Sequence, residues 1–500
     1  VKLREAPVDF ENPLFGPFVK QYLSHDVKHA MCGNTLTSAY KGMMEYTTDT
    51  VGNIDDGLLG MTIAYMKQHF SSSLKYMRKT PIYDVLEGIN ASTSAGFICM
   101  RNACPSKGSA VSSGIIYQLE EEYMNIPIYW SATVKEELRK LSKIEEDNLR
   151  LFLVAPFEQY VVEMIYYKSF IDEFNMAHQD TFSGVGISKY ELGFHRAVRE
   201  ILDFPFKDMD DYKKFDKKML AKLIKAVLRA WNSFFSSILP PRDRERIRKM
   251  NNAIINSICV MPDGHVYMKL GGVPSGSAIT TVLNTVLNWC VQIYTFLKIH
   301  GPLNYKDLMI NLAEKLCGDD VLMGTNSMAF YFNARAKIIY EDFGLVVTSP
   351  TPMFKEISEL EFLSQKMLVV KGVYMPLPDG KKAIDSLLKH TIKNRLEYET
   401  WDRLCGLVLE YHWCPETHVL DLFAEYMMEK YQVDSSKYFN PVEREALYFG
   451  YDVGLYSKRD PYKNFLSNVI TTESFETGSK AKTTKEILSK ESSRAKTQRE

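Results

Sequence analysis

The sequence predicts an α+β protein of about three units, at roughly 150 residues per domain, and three observations carry that expectation. The chain has 500 residues, 45% of them hydrophobic and 25% charged, which suits a folded protein and is too apolar for a disordered one. Apolar periodicity marks helices at 56–76, 188–202 and 215–239, and from about 380 to Tyr448. β-type residues surround Pro262-Asp263-Gly264, and a second hairpin signal stands at Pro378-Asp379-Gly380. No fixed-period repeat is present, so a solenoid is excluded.

Taken in order, residues 1–90 are mixed. Residues 90–113, rich in Ser, Gly, Ala and Cys, read as loop with short strands. Lys135 to Arg150 holds five Lys/Arg and five Asp/Glu, the composition of a salt-bridged surface helix. The apolar run 201–206 reads as a strand, and the helix at 215–239 is ended by Pro240-Pro241. The most apolar long segment, 278–299, carries Thr280, Thr281, Asn284, Thr285, Asn288, Gln292 and Lys298, too many polar groups for a membrane span. From Glu476 to Glu500 there is no aromatic residue and only four Ala, Ile or Leu, so a disordered tail is expected over 471–500.

Charge and cysteine usage narrow the classes. With 61 Lys+Arg against 62 Asp+Glu the formal charge is -1, which excludes a uniformly basic nucleic-acid coat but leaves room for a local basic channel. Eight Cys without a C-x-x-C pair exclude a disulfide scaffold or zinc ribbon and fit a reducing compartment. Val1 opens neither on an apolar signal core nor on Met, so a processed piece of a longer chain is expected.

Three segments carry chemistry. Cys317-Gly318-Asp319-Asp320 puts adjacent carboxylates on a turn between two apolar runs. Like charges repel there unless a cation holds them, and oxygen ligands suit Mg²⁺ or Mn²⁺. From the tripeptide alone, a solvated hairpin tip is the better reading. Asp211 and Asp216 lie five apart between a strand and a helix start, where Asp208 or Asp210 suits a helix N-cap. Gly271-Gly272-Val273-Pro274-Ser275-Gly276-Ser277 precedes a helix on which Thr280, Asn284 and Asn288 recur every four residues. That polar stripe suits hydrogen bonding to a ribose, or a buried helix with locally satisfied side chains. His25 and His29 fit a surface helix better than a metal site, and Cys405, His412 and Cys414 fit a helical core.

The order D-x₄-D at 211–216, SG-x₃-T-x₃-N at 275–284 and GDD at 318–320 resembles the palm of viral RNA-dependent RNA polymerases of the picornavirus-like positive-strand supergroup. The resemblance implies a right-hand fold: fingers over 1–205, palm at 206–220, a fingers return and palm edge at 221–265, palm at 266–370 and a helical thumb at 371–470. The palm would be an antiparallel sheet flanked by helices. It implies Asp211, Asp319 and Asp320 as catalytic ligands of two Mg²⁺ or Mn²⁺ ions, with Asp216, Ser275, Thr280 and Asn284 binding the nucleotide. Val134-Lys135-Glu136-Glu137-Leu138-Arg139 with Lys143 and Arg150 resembles the family's basic fingers motif, so Lys135, Arg139, Lys143 and Arg150 would meet the triphosphate. Thr93-Ser94-Ala95-Gly96-Phe97 resembles the template loop, which places Thr93, Ser94 and Gly96 beside RNA. A lysine after the palm helix acts as general acid in the family, and Lys355 is the first after 343–348; Phe362-Leu363-Ser364-Gln365-Lys366 resembles the primer grip. Cys317 stands where many members carry an aromatic residue.

The implied partners are an RNA template and primer, ribonucleoside triphosphates, other viral replication proteins and a protein primer. The implied place is the host cytoplasm, at membrane-associated replication complexes reached through partners. The rivals are a reverse transcriptase, which would replace the Asp216–Asn284 pair by a bulky gate, and a catalytically silent RNA-binding relative.

Overall fold

The computed structural model describes residues 9–23, 25–33, 35–47, 52–73, 77–235, 237–331, 334–348, 356–390 and 396–451. It combines helices with short sheets whose described strands pair antiparallel, apart from Tyr129–Val134 with Ile258–Val260, a mixture that suits an α+β protein. The central element is a three-stranded antiparallel sheet of β1 (Phe206–Asp210), β2 (Leu312–Cys317) and β3 (Asp320–Thr325), with β3 in the middle. Val321 pairs with Asp210 and Asp320 with Cys317, so the register brings the ends of all three strands to one edge.

The pleat explains how both faces are covered. Leu322 packs with Val198, Ile201 and Leu202 of helix α1 (Gly193–Leu202), whereas Val321 and Met323 join the large core that contains α2 (Thr280–His300). Residues two apart share a face, so β3 is buried on both sides and reads as an unbroken apolar run. Helix α3 (Ala334–Phe343) packs against α2. A second sheet takes Leu151–Val154, Tyr129–Val134, Ile258–Val260 and Val266–Met268 in that order, and a third holds β4 (Glu361–Phe362), β5 (Gln365–Val370) and β6 (Val373–Leu377).

Several expected elements are corrected. The 201–206 run is not a strand: α1 continues to Leu202 and β1 begins at Phe206. The helix expected over 215–239 breaks into Phe215–Lys218 and Ala221–Trp231, because Met219 and Leu220 are extended and the Met219 carbonyl accepts the Gly272 N–H at 2.8 Å. Pro240-Pro241 opens a helix, Pro241–Ile255, rather than only closing one; proline suits the first helical position. Residues 90–113 hold two short helices, Phe97–Arg101 and Lys107–Ser112, in place of short strands. Ser106 caps the second through the Ser109 N–H. The charged segment from Lys135 forms strand Leu138–Lys140 and the single turn Leu141–Glu145, not a long surface helix. The helix predicted over 56–76 runs Asp56–Ser73. The tail at 471–500 lies outside the described residues.

The two Pro-Asp-Gly signals part company. At 262–264 the hairpin forms, with Val260 paired to Val266 and Gly264 at φ 93°. At 378–380 Asp379 instead caps helix Gly380–Leu388 through the Lys381 N–H, so this hairpin expectation is wrong. That helix, with Glu397–Glu410 and Thr417–Lys430, forms a separate core around Trp401, Leu404 and Phe423. Cys405 and Cys414 are buried in this region, as expected.

The amino-terminal residues join that core. Phe15 and Phe18 pack at tilted angles around Phe423 with ring centroids 4.7 and 5.0 Å away, and Phe10 pairs with His390. His25 and His29 are not on a surface helix. Their ring nitrogens each lie 2.8 Å from a different oxygen of buried Asp385, which also accepts the Lys28 and His29 N–H groups. Burial pushes the Asp385 carboxyl up, but the bonds from His25, His29 and Lys28 prevail and hold it below the ordinary carboxylate value. A depressed carboxyl contributes stability above its unfolded value and loses it as pH falls through the folded one. Stability should therefore drop as pH falls below about 4. Asp385→Asn should cost about 1.5–3 kcal/mol at pH 7 and flatten that acid dependence, as read by urea unfolding across pH.

Candidate active site

Strand β1 alternates its acids. Asp208 and Asp210 point to the buried side, where Arg335 of α3 reaches both carboxylates at 3.0 and 2.9 Å. They do not cap the following helix, which corrects the N-cap reading. The same alternation turns Asp211 away from that guanidinium, and its side chain is exposed. The Asp211 backbone is fixed separately, since its carbonyl accepts the Thr348 N–H at 2.8 Å and the Thr348 hydroxyl at 3.0 Å.

Between β2 and β3 the loop is two residues, Gly318 and Asp319. Gly318 has φ 66°, and a Cβ there would meet nothing within 4 Å, so glycine is needed for backbone conformation rather than space. Asp319 stands on the tip. Burial and the nearby Asp211 charge raise its carboxyl, while Arg150 opposes them. Asp320 is pushed up to about 7, mainly by burial, with Asp319, Asp211 and Glu361 adding to the rise. One of its oxygens accepts the Leu363 N–H at 2.6 Å, which ties it to the β4–β5 turn. Asp216 is raised to about 6 by burial and by Asp319, against the pull of Lys217.

Asp211, Asp216, Asp319 and Asp320 thus share one electrostatic neighbourhood with Arg150. Among the described residues no three carboxylate, imidazole or thiol groups are already gathered in ligating geometry. The donor chemistry nevertheless fits a hard divalent cation: the carboxylates raise one another, and a cation would relieve that repulsion.

The loop before α2 is anchored from below. The Ser275 hydroxyl accepts the Leu153 N–H at 3.1 Å, and Thr280 donates to the Pro274 carbonyl at 2.7 Å. Those bonds make Ser275 and Thr280 supports of the loop. Buried Glu163 accepts the Ser277 hydroxyl and the Ala278 N–H, both at 2.7 Å. Asn284, only 7% exposed, keeps its Oδ1 without a hydrogen-bond partner among the described residues. A buried acceptor left open is costly, and a ligand hydroxyl would satisfy it.

In the basic segment Lys135, Arg139 and Arg150 surround Glu137 at 3.4, 3.5 and 3.7 Å, and Arg139 also donates to the Asn148 carbonyl at 3.1 and 3.0 Å. Lys143 instead pairs with Glu146 at 3.0 Å. One carboxylate among three cations leaves net positive charge, with Arg150 nearest the acids by its effect on Asp319.

The profile of the viral RNA-dependent RNA polymerase family matches residues 12–425, most of the chain. The chain belongs to that family. It is similar to the genome polyprotein of Turnip mosaic virus (strain Quebec), 23% identical over 445 residues, covering 86% of this chain and 13% of the polyprotein. It is also similar to the genome polyproteins of Soybean mosaic virus (strain N) and Watermelon mosaic virus II (isolate USA), each 23% identical over 281 residues. Those matches cover 56% of this chain and 9% and 27% of the relatives. The chain therefore spans well under a third of the length of these relatives.

Other polymerase-family positions are placed less directly. Thr93 and Ser94 are exposed, but Gly96 is buried at φ 84°, where a Cβ would stand 2.8 Å from Pro156 Cα. Its lack of a side chain leaves room for the Pro156 backbone. Lys355 lies outside the described residues. Leu363 and Ser364 both have positive φ, 55° and 58°, in the turn that holds Asp320. Sequence reasoning missed Arg335 altogether, and gave Thr285 and Gln292 no role beyond their polarity. Arg335 has no local pattern to announce it, whereas Gln292 extends the four-residue stripe from Thr280 by one more step.

No described helix is long and apolar enough to cross a membrane.

Proposed function

We propose that the protein is a template-directed RNA polymerase that copies a viral RNA genome from ribonucleoside triphosphates. The observation that supports it best is the shared neighbourhood of Asp211, Asp319 and Asp320 with Asp216 and the open acceptor of Asn284. In this reading β1–β3 are the palm, the sheet containing Tyr129–Val134 belongs to the fingers, and the helices after Asp379 form the thumb.

Asp211 and Asp319 would hold two divalent ions, with Asp320 assisting from its tether on Leu363. Bound there, the ions would supply activation of a primer 3′-hydroxyl and stabilisation of departing pyrophosphate. Arg150, with Lys135 and Arg139, would orient the triphosphate by charge-assisted hydrogen bonds. Asp216 and Asn284 would recognise the 2′-hydroxyl. RNA template, primer, a protein primer and other viral replication proteins are the proposed partners, at membrane-associated complexes in the host cytoplasm.

Primer extension on primed RNA tests the reading. The wild-type chain should incorporate rNTPs with a marked preference over dNTPs. A site that hydrogen-bonds a hydroxyl strongly rejects the analogue without it, so Asn284→Leu should reduce that preference by about 10-fold or more. Equal use of both sugars by the wild type would favour the reverse transcriptase. No product with any divalent ion would favour the silent relative.

A further inference from the structure

One face of α2 reaches the neighbours of two of the site's carboxylates. Positions 284, 288 and 292 follow at one-turn intervals, with Thr285 beside them. Asn284 presents its open acceptor. One residue on, the Thr285 hydroxyl accepts the Gly318 N–H at 2.9 Å, and one turn on Asn288 Nδ2 donates to the Gly318 carbonyl at 3.0 Å. A turn further, Gln292 Nε2 donates to the Tyr212 hydroxyl at 2.7 Å. Gly318 precedes Asp319 and Tyr212 follows Asp211, so the helix grips the residue next to each of the two principal carboxylates.

We propose that Thr285, Asn288 and Gln292 are positioning residues that set Asp211 and Asp319 at a common height relative to Asn284. The inference rests on the polymerase reading and deepens it.

The polarity of the two Gly318 contacts is determined. Thr285 donates its own hydrogen to the Thr281 carbonyl at 2.7 Å, so a lone pair is what remains for Gly318. Asn288 must turn its amide nitrogen to the Gly318 carbonyl, which leaves its Oδ1 buried without a partner among the described residues; Gln292 Oε1 is in the same position. Both side chains are fully buried. Two amides that forgo an acceptor bond to keep one donor bond each are poor choices for a helix that only fills the core. Gly318 has no side chain of its own to anchor it, and both its backbone polar groups are held by α2 through these two bonds.

At nearly constant shape, Thr285→Val removes the hydroxyl that accepts from Gly318 and donates to Thr281, and Tyr212→Phe removes the hydroxyl that Gln292 meets. In primer extension each should lower kcat about 10-fold, the scale for groups that orient ligands from behind, with KM for rNTP unchanged. Thr285→Ser should restore kcat. Mn²⁺ binding, followed by the electron paramagnetic resonance of free Mn²⁺, should weaken by about 10-fold in Thr285→Val and recover in Thr285→Ser; a residue that merely stabilised the fold would shift the melting temperature and leave both unchanged per folded molecule. Wild-type kcat and Mn²⁺ affinity in folded Thr285→Val overturn the proposal. Should that variant fail to fold, Tyr212→Phe decides by the same two measurements. Failure of the wild type itself to make RNA would instead overturn the polymerase reading.

Discussion

Asp319→Asn should abolish RNA synthesis while leaving the fold as stable as before, or slightly more so. Asp319 stands on a two-residue turn with part of its surface in solvent, while its carboxyl lies among enough protein, and near enough to Asp211, to be raised. Replacing it with an isosteric amide removes a like-charge repulsion, so the melting temperature should hold or rise; sites built for function commonly carry such a stability cost. The same change removes a charged oxygen ligand from the proposed cation site and should lower kcat by about 10³-fold or more. Primer extension with Mg²⁺ and with Mn²⁺, together with thermal unfolding, separates the two effects. Undiminished synthesis by the variant would take Asp319 out of the reaction.

Arg335→Met should have the opposite signature, a large loss of stability. Arg335 is 4% exposed and bridges Asp208 and Asp210, which are 1% and 2% exposed. Its guanidinium also lies 5.5 Å from the Phe330 ring centroid. Removing the cation leaves two buried carboxylates side by side on one face of one strand. Breaking a buried pair in this way costs about 3–5 kcal/mol, mostly the penalty of charge left uncompensated. The combination Asp208→Asn, Asp210→Asn, Arg335→Met should recover much of that loss in urea unfolding, because neutral groups need no counter-ion. Additive losses would show that the three residues do not act as a unit.

The reach of sequence reasoning follows the range of the interactions. The acids at 211, 216, 319 and 320 were legible because each sits within a few residues of its own strand end or turn. Arg335 was not, since its partners lie 127 and 125 residues away. The split between the two Pro-Asp-Gly segments is equally physical. After Gly264 the chain alternates into Val266–Met268. After Gly380 the buried residues Ala383, Ile384, Leu387 and Leu388 follow helical spacing, so the same aspartate becomes a cap. The break at Met219–Leu220 is set by a hydrogen bond from Gly272, which no local propensity contains.

The register Phe10↔His390 spans 380 residues. During synthesis at about 5–20 residues per second, Phe15 and Phe18 emerge early and wait tens of seconds for Trp401 and Phe423. Until then their rings have no core to enter and are available to chaperones or to other nascent chains. Closure of this long loop is a late folding event. A ribosome-bound chain stalled before the Thr417–Lys430 helix should therefore leave the Phe15–Tyr22 helix open to protease, however complete the β1–β3 sheet already is.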